Sequence, residues 1–126
     1  VEIIKKIETE LPIYLFVDKD QILRAFINLI NNGIQSVPDD KNPRIEITIK
    51  RFEDKIKIEI SDNGKGIPDD LKDKLFIPNF TTKSSGMGLG LAITKNIIES
   101  AGGSISFVSG INKGTTFIII LPEMKF

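Results

Sequence analysis

The sequence predicts an α+β fold, a two-layer α/β sandwich in which a mixed sheet of about five strands carries about three helices on one face. Two patterns point there. Ile45, Ile47 and Ile49 alternate with Glu46, Thr48 and Lys50, and Ile56, Ile58 and Ile60 alternate with Lys57 and Glu59, the period of half-buried strands. The stretch from Lys19 to Val37 is instead apolar at helical spacing. Its Arg24, Asn28, Asn32 and Gln35, at intervals of four, four and three, form one polar stripe.

The remaining elements follow in chain order. Val1 to Glu8 and Ile13 to Val17 read as strands on either side of Leu11-Pro12. Asp18 is a helix N-cap with Gln21 as its capping-box partner, and the first helix runs from about Lys19 to about Val37, where Pro38 stops it. The two isoleucine strands join through a hairpin near Glu53-Asp54. Pro68 opens a second helix with Asp69 and Asp70 in front and Lys72 and Lys74 behind, the order a helix dipole favours. Leu89 to Ala101 makes the third, closed by Gly102-Gly103. Ser104 to Val108 and Thr115 to Leu121 complete the sheet.

Composition narrows the chemistry. A chain of 126 residues, 40% hydrophobic and 27% charged, fits one globular domain spanning residues 1–126. Seventeen basic residues balance seventeen acidic ones, so no field of one sign attracts nucleic acid or an anionic membrane. With no cysteine and no histidine, disulfides, the common zinc sites, thiol nucleophiles and the Ser-His triad are all excluded. No apolar run reaches the roughly 18 residues of a membrane span, and no signal peptide precedes the first strand. The chain starts mid-pattern without a Met, and we expect a monomeric piece of something longer.

Three segments carry chemistry. The stripe on the first helix has a plain reading as a solvated face, but asparagine is a poor helix former, and Lys or Glu would serve there better. Carboxamide oxygens suit Mg²⁺ when phosphates already bring negative charge. Asp62 ends an alternating strand and enters Asn63-Gly64-Lys65-Gly66; the plain reading is an Asn-Gly turn, yet a helix start follows instead of a returning strand. A carboxylate there can accept from an exocyclic amine such as adenine N6, with glycines letting the backbone come close. Gly86, Gly88 and Gly90 precede a helix, as in a flexible loop or a lid whose N–H groups receive phosphates. No Gly-Lys-Ser/Thr follows and Leu91 replaces a third glycine, so neither common phosphate-loop motif fits.

In that order the segments resemble the catalytic ATP-binding domain of a sensor histidine kinase, which has the Bergerat fold shared with type II topoisomerases, heat-shock chaperones and mismatch-repair ATPases. Asn28-Leu29-Ile30-Asn31-Asn32 is similar to the asparagine box and Asp62 to Gly66 to the first glycine box. Leu75 to Lys83 resembles the phenylalanine box, Gly86 to Leu91 the second glycine box, and Gly114-Thr115-Thr116-Phe117 the last motif. The resemblance implies ATP and Mg²⁺ as cofactors. Asn32 would hold the metal with Asn28 assisting, both counted with Lys83 as catalytic. Asp62 would bind the adenine amine beside Gly64, Gly66 and Ile67, with Thr115 and Thr116 near the same pocket. Phe76 and Phe80 would tether a lid. Thr82, Lys83, Gly86, Gly88, Leu89, Gly90 and Leu91 would close it over the phosphates, and Phe80 is also counted among the nucleotide-binding residues. Phe76 and Phe80 read equally as core, and Lys83 as a solvated lysine.

Three positions depart from the family. Gln35 stands where a basic residue commonly reaches the phosphates, Asn79 replaces an aromatic, and Gly33 replaces an alanine at a cost of about 1 kcal/mol to the helix unless something packs closely there. The hydrolytic and serine-kinase branches carry glutamate as general base where this chain has Asn28, which takes no proton. A histidine acceptor needs less help. The resemblance therefore implies transfer to a histidine on a dimerisation domain of the parent, relay to a response-regulator receiver domain, and a cytoplasmic location with the parent's anchorage open. A degenerate or regulatory nucleotide-binding adaptor module and an anti-sigma-type serine kinase are the alternatives.

Overall fold

A computed structural model describes residues 1–77 and 90–124. Along the chain run β1 (Glu2–Ile7), α1 (Lys19–Gln35), β2 (Arg44–Phe52), β3 (Lys55–Asp62), a 3₁₀ helix (Asp69–Lys74), α2 (Gly90–Ser100), β4 (Ser104–Gly110) and β5 (Gly114–Pro122). The strands form one sheet in the order β1-β2-β3-β5-β4. β1 and β2 pair in parallel and the other neighbours antiparallel, so the sheet is mixed as expected.

Register converts the isoleucine alternation into a core. Ile49, Ile58, Ile119 and Ile105 form one cross-strand row, and Ile47, Ile60, Phe117 and Phe107 form the next. Successive side chains on a strand point to opposite faces, so both rows share one face. Ile22, Ala25 and Leu29 of α1 and Leu91 and Ile98 of α2 cover it. Each large side chain taken fully out of water contributes about 1.5–3 kcal/mol.

The helix ends follow local rules. Asp18 Oδ1 accepts the N–H groups of Asp20 at 3.0 Å and Gln21 at 3.2 Å, capping α1. α1 stops at Gln35, two residues short of the expected Val37, because the residue before a proline is pushed out of helical geometry. After α2, Gly102 takes φ +82°; its N–H reaches Glu99 O at 3.0 Å and that of Gly103 reaches Ile98 O at 3.0 Å. That is the Schellman closure expected of Gly102-Gly103. The segment opened by Pro68 is a 3₁₀ helix of six residues rather than an α-helix.

One expected strand is absent. Ile13, Leu15 and Val17 pack on the core with Tyr14 and Phe16 exposed between them, yet the segment joins no ladder. It is extended chain travelling from the sheet edge to the start of α1, and the same alternation arises because every second side chain covers the core. Arg51 secures this crossing. Its guanidinium donates to both carboxylate oxygens of Glu123 at 2.7 and 2.8 Å and to Thr9 Oγ1 at 3.0 Å. Leu29 is the central apolar contact from α1, fully buried. Leu29→Ala is expected to lower unfolding free energy by about 2–5 kcal/mol, measured by urea denaturation, with the denaturant slope unchanged.

Candidate functional site

Asp62 pairs in register with Ile45, which places it on the helix-facing side of β3, one step beyond Ile60. A carboxylate thus continues a row of isoleucines. Its Oδ1 accepts two backbone N–H groups, from Gly64 at 2.9 Å and from Thr115 at 3.2 Å. Hydrogen bonds to an ionised acceptor are the strong kind, and two of them fix the carboxylate plane. Above it lies Gly33 of α1. A Cβ there would stand 2.8 Å from Ile45 Cδ1 and 3.2 Å from Asp62 Cβ, so the glycine is what lets the helix settle on this end of the sheet. Asn32 precedes it, and Asn28 lies one turn earlier on the same half-buried flank, while Arg24 and Gln35 are exposed.

The glycine box is fastened on both sides. A Cβ on Gly64 would overlap Ser36 Oγ and lie 2.8 Å from Ser36 Cβ, and the Lys65 N–H donates to Ser36 O at 3.1 Å. Gly66 has φ +78°, and a Cβ on it would overlap the Gly110 carbonyl. On the hairpin side, Asn112 N–H donates to Lys65 O at 2.8 Å and Ile67 N–H to Ser109 Oγ at 2.8 Å. Lys72 Nζ reaches Ser109 O at 2.8 Å and Asp69 at 2.9 Å, and this hydrogen bond holds the Asp69 carboxyl below its ordinary range. Asn63 acts instead on the start of β2, where its side chain accepts from Arg44 N–H at 2.8 Å and donates to Asn42 O at 3.1 Å. Ser36 and Ser109 escaped the sequence reading because a lone serine at the end of an element forms no pattern.

The other expected site residues divide. Thr115 is buried beside Asp62. Thr116 is not brought to this group: neighbouring strand residues face opposite ways, and its hydroxyl pairs with Ser61 at 2.6 Å on the outer face. Phe76 packs edge-on against Phe107 and Phe117 at centroid distances of 5.9 and 6.5 Å, a core contact. Leu91 is core as well, whereas a Cβ on Gly90 would meet nothing within 4 Å. Asn79, Phe80, Thr82, Lys83, Gly86, Gly88 and Leu89 lie outside the described residues. A cavity of about 300 Å³ opens beside the box, lined by Gly66, Ile67, Pro68, Leu71, Leu75 and Ile111 among others. A cleft of about 580 Å³ between the start of α1 and α2 touches none of the described site residues.

Residues 17–125 match the family described as histidine kinase-, DNA gyrase B-, and HSP90-like ATPase. The chain belongs to this ATPase family. Sporulation kinase B of Bacillus subtilis (strain 168) is 44% identical over 115 residues, which are 91% of this chain and 27% of that kinase. The sensor histidine kinase ZraS of Escherichia coli (strain K12) is 41% identical over 105 residues, 83% of this chain and 22% of that one. Among solved structures, the catalytic domain of the histidine kinase ThkA superposes with a TM-score of 0.79 at 35% identity, covering 96% of this chain and 79% of that chain. The chain spans about a quarter of the length of the curated relatives it matches. It is thus a histidine kinase catalytic ATPase domain by kinship and fold, and that family implies ATP as ligand.

The residues present fit an adenine nucleotide. Asp62 is a fixed acceptor of the kind an exocyclic amine needs, in a glycine box that borders a cavity of about 300 Å³. For a metal the donors are hard carboxamide oxygens, and no group of three or more His, Cys, Asp or Glu able to hold an ion occurs among the described residues. That set suits Mg²⁺ only alongside phosphate oxygens. Nor is any helix among the described residues long and apolar enough to cross a membrane. In this ATPase domain Asp62 also serves the fold. Asp62→Ala leaves the Gly64 and Thr115 N–H groups without their acceptor, while Asp62→Asn keeps an oxygen in place. Thermal and urea unfolding are expected to rank Asp62→Ala below Asp62→Asn by about 1–3 kcal/mol.

Proposed function

We propose that residues 1–126 are the catalytic domain of a longer sensor histidine kinase that binds Mg²⁺-ATP at the Asp62 box and presents the γ-phosphoryl to a histidine on a separate dimerisation domain. The carrying observation is Asp62, a carboxylate continuing a core row and held by two backbone N–H groups beneath the asparagine-bearing helix. ATP supplies the transferable phosphoryl group when bound. Asp62 accepts from the exocyclic amine of the base, and Gly64, Gly66 and Ile67 form the wall beside it. Asn32, with Asn28 one turn earlier, offers carboxamide oxygens to the metal. Phe80, Thr82, Lys83, Gly86, Gly88 and Leu89 are assigned to the lid and phosphate side on resemblance alone, Lys83 as the cationic contact. Gly90 and Leu91 begin α2, which anchors that side to the core through Leu91.

With little covalent chemistry required of the protein, its work is positioning and charge neutralisation. Asn28 takes no proton, so water lacks an activator; this favours the histidine-kinase reading over hydrolytic and serine-kinase ones. The phosphoryl acceptor lies on another domain because this chain has no histidine. A receiver domain would take the group onward in the cytoplasm.

Calorimetric titration of Mg²⁺-ATP tests the site. Saturable binding is expected in the wild-type chain and its loss in Asp62→Asn; absence of binding in both would leave the boxes as scaffold and a degenerate adaptor module as the better reading. With γ-labelled ATP, label is expected on an added histidine-bearing dimerisation domain and not as released phosphate. Asn28→Glu is expected to raise phosphate release above the wild-type baseline in a continuous phosphate assay, since it restores a proton acceptor near the metal.

A further inference from the structure

The Ser109 hydroxyl has three polar neighbours and a single proton. It accepts the Ile67 N–H at 2.8 Å, lies 2.8 Å from Thr115 Oγ1, and donates to Gly114 O at 3.2 Å. A hydroxyl offers one donor and two acceptor sites. All three contacts are satisfied together in one arrangement only: the Ser109 proton on Gly114 O, with both its lone pairs taken by Ile67 N–H and by the Thr115 hydroxyl proton. Thr115 is therefore the donor of that pair. Its proton is committed, and its oxygen is left with acceptor capacity alone.

Thr115 is buried, and its backbone N–H is bound to Asp62 Oδ1 at 3.2 Å, so the two side chains share one corner of the site. Asp62, when ionised, is an acceptor too. We infer that Ser109 is a positioning residue that makes Thr115 an acceptor, so that the corner formed by Asp62 and Thr115 selects a base bearing an exocyclic amine over one bearing an oxo group. The inference rests on the proposed base site at Asp62. An oxo group there faces two acceptors, neither with a proton to give, and buried polar groups left unpaired are the effective means of rejecting a wrong ligand. Removing the Ser109 hydroxyl frees the Thr115 proton to donate to that oxo group. The same Ser109 binds the glycine box through Ile67 and the 3₁₀ helix through Lys72, so one residue couples wall position to base choice.

The test compares Mg²⁺-ATP with Mg²⁺-ITP, which differs only at purine position 6 and in the N1 proton that accompanies it. Dissociation constants are measured by calorimetry for wild type, Ser109→Ala, Ser109→Thr, Thr115→Val and the Ser109→Ala/Thr115→Val pair. The wild type is expected to prefer ATP. Ser109→Ala should shrink the ITP-to-ATP ratio of dissociation constants by roughly tenfold, the equivalent of about 1.4 kcal/mol. Ser109→Thr should keep the wild-type ratio, and adding Ser109→Ala to Thr115→Val should change it no further. A merely structural Ser109 would weaken both nucleotides alike, and an unchanged ratio in Ser109→Ala overturns the inference. Should that variant not fold by circular dichroism, an unchanged ratio in Thr115→Val overturns it instead. Wild type that binds both nucleotides equally sinks the selection while leaving the nucleotide site standing. Wild type that binds neither sinks the proposed site itself.

Discussion

Asp62 occupies a position that the sheet would otherwise fill with an isoleucine, and the surrounding backbone is arranged to make that tolerable. A carboxylate on a core face is costly unless its oxygens meet donors. Here the donors are the N–H of Gly64, two residues on, and the N–H of Thr115 on the neighbouring strand. The first requires the chain to turn sharply after β3. The second requires β5 to begin in the register that sets Ser61 against Thr116. One charged side chain therefore fixes the turn, the start of β5 and the place where α1 can come closest to the sheet.

The close approaches around it all depend on glycine. Gly33 brings α1 onto Ile45 and Asp62, Gly64 brings the box against Ser36, and Gly114, at φ +79°, clears the Asp62 carbonyl that any Cβ would strike. Gly33 explains a sequence oddity in energetic terms. A mid-helix glycine costs about 1 kcal/mol against alanine, and the compensation is contact between the asparagine-bearing helix and the carboxylate below it. Gly90 behaves differently, since nothing among the described residues would meet its Cβ. Its glycine is not a packing requirement of the domain as described.

Periodicity made most of the fold legible because a half-buried sheet and an amphipathic helix leave different repeats. It misled at Ile13 to Val17, where extended chain crossing the core alternates like a strand without joining a ladder. The ends of α1 and α2 were legible to within two residues because caps and prolines act locally. The site was legible where chemistry resides in unusual residues, as at Asp62, Asn28 and Asn32. It was not legible where chemistry depends on which way a common residue faces. Thr115 and Thr116 look alike in sequence, yet strand alternation buries one, its hydroxyl against Ser109, and sends the other to the opposite face. Ser36 and Ser109 acquire roles only through neighbours distant in the chain.

The two ends of the proposed site are held by different physics. At the base end, two backbone hydrogen bonds and three glycine-permitted approaches hold Asp62 in place without a ligand. The metal end, on the same reading, consists of neutral carboxamides on one helix flank, with no cluster of ionisable ligands among the described residues. Two neutral oxygens bind a strongly hydrated Mg²⁺ weakly by themselves, because they offer no charge against its hydration shell. Affinity at that end must come from the phosphates, so the metal arrives as part of the nucleotide complex rather than ahead of it. A glutamate at position 28 would add charge for a free ion and a base for water together. Asn28 supplies neither, and on this reading one residue type both defers metal binding to the nucleotide and withholds hydrolysis.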